Sequence, residues 1–143
     1  MEELIQNLYD PDNKIAYNAL KELEKLSKEN SHVYKYFDTF VEMLDNENAY
    51  IRTRGIILIS SNAKWDSENK LNKIINRFLV HIEDDKPITS RQCIKSLENI
   101  VKSKKELIPI IKKRLLEINY LKYADSMQNL IFKDIEEILK LIQ

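Results

Sequence analysis

One glycine and three prolines in 143 residues leave this chain almost no means of making tight turns. A fold of many short strands needs turn residues about every 8 to 12 positions, and they are missing. Instead Leu, Ile, Lys and Glu recur at the 3.6-residue spacing of helices with one apolar face. The pattern predicts an all-α protein. A chain of this length buries roughly 70% of the surface it exposes when unfolded, so no cofactor or metal is needed merely to fold.

Caps and periodicity divide the chain into eight helices joined by short polar turns. The first is "MEELIQNLY". Asp10 with Pro11 opens the second, whose inner stripe is Ile15, Ala19, Leu23 and Leu26. Ser31 is expected to cap the third, and Asn48 opens the fourth, with Ile51, Gly55, Leu58 and Ile59 inward. The fifth carries Leu71, Ile74, Ile75, Phe78, Leu79 and Ile82. Asp85 with Pro87 starts the sixth, lined by Ile94, Leu97, Ile100 and Val101. Ser103 to Glu106 reads as a capping box for the seventh, in which Pro109 must fall in the first turn or kink the helix. From about Tyr123 the eighth is expected to bury Met127, Leu130, Ile131, Ile135, Ile138 and Ile142.

These helices form four pairs, at about 1–30, 31–64, 67–103 and 104–143, within one domain. In the second helices of the first three pairs Asp10, Asp45 and Asp85 align, as do the small residues Ala19, Gly55 and Cys93, which lie 36 and then 38 positions apart. A two-helix unit repeating at that period marks a stack of hairpins that bury their apolar faces on one another. "DPDNKIAYNAL" and "DNENAYIRTRGIILI" resemble HEAT repeats, which implies an α-α superhelix of about four hairpins. "YIRTRGIILI", "NAKWD" and "KPITSRQCIKSL" resemble small bacterial HEAT-like proteins sometimes labelled SufBD-like, a resemblance that brings no active-site residues with it.

Gly55 is the only glycine and lies inside a helix, where it costs about 1 kcal/mol against alanine. Close packing of the neighbouring hairpin is the expected compensation. Arg52, Arg54 and Arg91 flank the small positions. Each either bonds a turn carboxylate, for example Arg52 with Asp45, or joins a row of guanidinium groups whose planar forks suit carboxylate or phosphate. Trp65 and Asp66 follow a helix end, where the tryptophan plugs a gap between pairs or serves as a contact. HEAT-like alkylpurine DNA glycosylases use tryptophans, an aspartate and an arginine on the concave face; this chain has one tryptophan and is much shorter.

The 23 basic and 23 acidic residues cancel, which argues against bulk attraction to nucleic acid or an anionic membrane. Six cations, Lys102, Lys104, Lys105, Lys112, Lys113 and Arg114, nevertheless stand against one acid between 102 and 114 and form a candidate basic patch. Neither His32 nor His81 has a second ligand at zinc spacing, and the lone Cys93 is expected to be a buried thiol with no base beside it. No metal site and no cofactor is expected.

The expectation is therefore a cytoplasmic, non-enzymatic scaffold, a monomer or weak homo-oligomer without a membrane segment. Its partner would be a protein or acidic peptide held around Arg52, Arg54, Trp65, Asp66 and Arg91. Nucleic-acid binding or repair is the alternative.

Overall fold

A computed structural model describes all 143 residues, and every regular element is helical. The eight α-helices are α1 (Glu2–Asn7), α2 (Asn13–Glu29), α3 (Phe37–Met43), α4 (Ala49–Ser61), α5 (Lys70–Leu79), α6 (Pro87–Ser103), α7 (Ile108–Leu116) and α8 (Asp125–Leu141). Short 3-10 turns lie at His32–Tyr36, Ala63–Trp65, Val80–Glu83, Lys105–Leu107 and Tyr120–Lys122. Within the pairs α1 packs on α2, α3 on α4 and α7 on α8, while α5 reaches α6 through the Val80–Glu83 turn. Between the pairs α4 lies against α2 on one side and α6 on the other, and α6 against α8. One cluster of 34 buried residues runs from Ile5 to Ile138, so all these elements share a continuous core. No helix is long and apolar enough to cross a membrane.

The second helices begin alike. Asp10, Asn46 and Asp84 each accept the backbone N–H two residues on, and the residues so fixed, Asp12, Asn48 and Lys86, are the N-caps of α2, α4 and α6. Both sets are spaced by 36 and then 38 positions. The aspartates aligned from sequence are thus one residue out in two of three turns. Asn46 does the work assigned to Asp45, and Asp84 the work assigned to Asp85, because a short side chain can form this turn only two residues before the cap. Asp45 and Asp85 are exposed.

Other boundaries also differ from expectation. Ser31 makes no side-chain cap bond, and the expected third helix opens as a 3-10 turn before α3. Ser103 ends α6 rather than capping α7, which begins at Ile108 and keeps Pro109 in its first turn. The inward stripe of α2 runs through Ala16, Ala19, Leu20 and Leu23 and leaves Ile15 exposed; Leu130 of α8 is exposed as well.

Gly55 is where two helices nearly touch. A Cβ there would lie 2.8 Å from both the Met43 Cβ and the Phe40 carbonyl oxygen. Both belong to α3, so the close approach is to the helix of its own pair and not to the neighbouring hairpin.

Candidate functional site

The five residues expected to form one site enter separate contacts, and all five are held by partners inside the molecule. Arg52 forks onto Asp84, with Nε 2.9 Å and Nη2 2.7 Å from the two carboxylate oxygens, and its Nη1 donates to the Asn46 and Glu47 carbonyls. It does not meet Asp45, which takes Arg77 instead. Arg91 forks onto the buried Asp134 of α8. The Trp65 indole N–H donates to the Ser27 carbonyl at the end of α2, so the ring is half-buried between the first two pairs.

Asp66 is buried at the head of α5, accepting the Lys70 and Leu71 amides, the Tyr34 hydroxyl and the Lys104 ammonium. Burial raises its carboxyl, but those bonds outweigh burial and hold it below the usual carboxylate range. Asp84 is balanced in the same way: burial raises it, while His81 Nδ1–H, Arg52 and the Lys86 amide bring it well below that range. These charge networks tie together elements about 32 to 38 positions apart in the chain.

The basic stretch is similarly divided. Lys104 is buried, donating to the Asp66 carbonyl and to Asn69, and so leaves the patch. Lys102 pairs with Glu98 one turn earlier, and Arg114 reaches the Leu79 carbonyl. Lys105, Lys112 and Lys113 remain exposed. Cys93 is fully buried, and desolvation, aided by the Asp84 charge, pushes its thiol up, away from the thiolate a nucleophile needs.

What the structure does assemble is a groove of about 820 Å³ across the N-terminal halves of α2, α4 and α6. Equivalent positions line it in successive helices: Asn13, Ala49 and Pro87, then Lys14, Tyr50 and Ile88. Leu20 and Ile57 contribute apolar wall, and Tyr17, Tyr50 and Ile88 remain 55%, 62% and 70% exposed. Of the expected site residues only Arg54 belongs here. Its Nη1 donates to the Leu8 carbonyl at 2.8 Å and its Nη2 to Asn13 Oδ1 at 3.3 Å, beside the Tyr50 ring.

Sequence reasoning missed Lys14, Tyr17, Tyr50, Lys86 and Ile88. A signal existed: Lys14, Tyr50 and Ile88 each stand two residues after a cap, in register, and the two apolar ones lie off the buried stripe.

Comparison with protein-family models, with curated proteins and with solved structures finds no match to this chain.

Proposed function

We propose that the chain is a HEAT-like α-α superhelix of four hairpins acting as a non-enzymatic docking platform, and that a protein partner lies in the groove over α2, α4 and α6. The repeated turns at 36 and 38 residues support the architecture. So does the reach of its polar contacts: Tyr34 to Asp66, Arg52 to Asp84, Thr53 to Thr89 and Lys104 to Asn69 all span 32 to 36 positions, and the longest span is 46. Each unit therefore bonds only to its neighbours, the bookkeeping expected of a stack.

The groove carries the functional half of the proposal. The alternate helices α2, α4 and α6 hold Tyr17, Tyr50 and Ile88 out instead of burying them, and large apolar side chains gathered along a concave surface mark contact sites. A photo-crosslinking amino acid placed at Tyr50 or Ile88 should label the same polypeptide, competed by excess unlabelled protein, while a probe at Lys112 on α7 should not. Labelling from Lys112 alone would place the partner elsewhere.

A further inference from the structure

Arg54 is 6% exposed, and no carboxylate is among its partners. It differs in this from Arg52 and Arg91, each forked onto a buried aspartate. Burial without an anion lowers the guanidinium below its ordinary pKa. Charges buried in proteins are ordinarily paired, and a guanidinium satisfied only by a carbonyl and an amide oxygen retains N–H groups suited to two anionic oxygens. What remains of its surface lines the groove.

The rest of the wall has the same sign. Lys14, Lys21 and Lys86 line it with Arg54, and no Asp or Glu does, although the chain as a whole carries equal numbers of each charge. Only Lys21 has a carboxylate at hand, Glu24 at 3.3 Å. Between the cations Leu20, Ile57, Ile88, Tyr17 and Tyr50 supply apolar surface, interspersed with the uncharged polar Asn13, Thr53, Thr89 and Gln92.

We infer that this groove receives an acidic peptide segment bearing apolar anchor residues, with one carboxylate set on Arg54 and its neighbours on Lys14 and Lys86. The inference rests on the docking reading above and adds the chemistry of the partner. A peptide is favoured over a nucleic acid because Leu20, Ile57 and Ile88, the aliphatic part of the wall, suit leucine-like side chains, whereas a single strand would ask for aromatic platforms along a continuous positive track.

The test is a random linear peptide library displayed on phage and panned on the intact protein. Affinities of enriched peptides are then measured by fluorescence anisotropy against the wild type, Lys14→Glu/Lys86→Glu, Tyr50→Ala and Arg54→Lys. The first two variants alter exposed side chains and so test the surface without touching the core. Enriched peptides should be rich in Asp and Glu around an aromatic or leucine residue. Their affinity should drop on the order of tenfold or more on charge reversal, fall several-fold between about 50 and about 200 mM salt, and weaken in Arg54→Lys, which keeps the charge and loses the fork.

Peptides that lose binding in Tyr50→Ala but are neutral or basic overturn the acidic partner and leave the docking platform standing. No enrichment, or enrichment indifferent to every groove variant, overturns both. A labelled single-stranded oligonucleotide that binds more tightly than the peptides and is lost in the same variants gives the groove to nucleic acid and overturns the inference.

Discussion

At position 55 two opposing preferences meet. Alanine would favour the helix by about 1 kcal/mol over glycine, yet its Cβ would stand 2.8 Å from the Met43 Cβ and the Phe40 carbonyl oxygen. Neither atom is the free end of a flexible side chain, so α3 and α4 would have to separate. Overpacking of this kind costs about 1 to 3 kcal/mol, and the near side of that range is already cancelled by the propensity gain. Gly55→Ala should therefore be destabilising by up to about 2 kcal/mol net, read as a lower urea midpoint at unchanged slope. A raised midpoint would show that the two helices have room to spare. Arg52 and Arg54, two residues apart, illustrate the same local logic in electrostatics: one faces forward to the Asp84 carboxylate, the other back to the Leu8 carbonyl and the Asn13 amide, with no anion among its partners.

Among the elements, the turns that start helices hold most of the ionic structure. Asp84 and Asp66 both have carboxyls held below the ordinary 3.8. A depressed carboxyl binds fewer protons when folded than when unfolded, so its stabilisation is complete above the unfolded value and is lost as pH falls through it toward the folded one. Urea midpoints should hold from neutrality to about pH 5 and decline below about pH 4. Asp84→Asn should lower stability at neutral pH by about 3 kcal/mol, because it strands a mostly buried Arg52, and should flatten the acid decline. A decline of undiminished steepness in that variant would assign the acid sensitivity to other carboxylates.

The helices themselves were legible in the sequence because burial imposes a period that cations and carboxylates on the outer face do not blur. Even so, phase was lost where two apolar residues compete, as at Ile15 and Ala16, since a stripe one position to either side satisfies the same spacing. The ion pairs were not legible: Arg52 chooses Asp84 over Asp45 at a separation of 32 residues, a distance set by how the helices pack and by no local pattern. For the same reason Lys104 looked like one of six surface cations until packing carried it under the head of α5, and the groove became visible only when residues 14, 50 and 88 came side by side.

For the whole molecule the decisive question is how far a local injury spreads. In a stack each unit is stabilised by its own contacts and by the interface with its neighbours, whereas in a closed bundle every helix borrows from the rest. The middle helices α4 and α6 are covered on both sides; α1 buries only Ile5, and the Tyr120–Lys122 turn buries nothing. Amide hydrogen exchange should thus be slowest in α4 and α6 and graded outward. Arg91→Ala sharpens the distinction, because it severs the fork between α6 and Asp134 of α8 and leaves a buried carboxylate unpaired. Protection in α7 and α8 should fall by at least about tenfold, with α2 and α4 unchanged. Equal loss in all eight helices would mean that the chain opens as one cooperative unit, and the reading of the fold as a stack of units would be overturned.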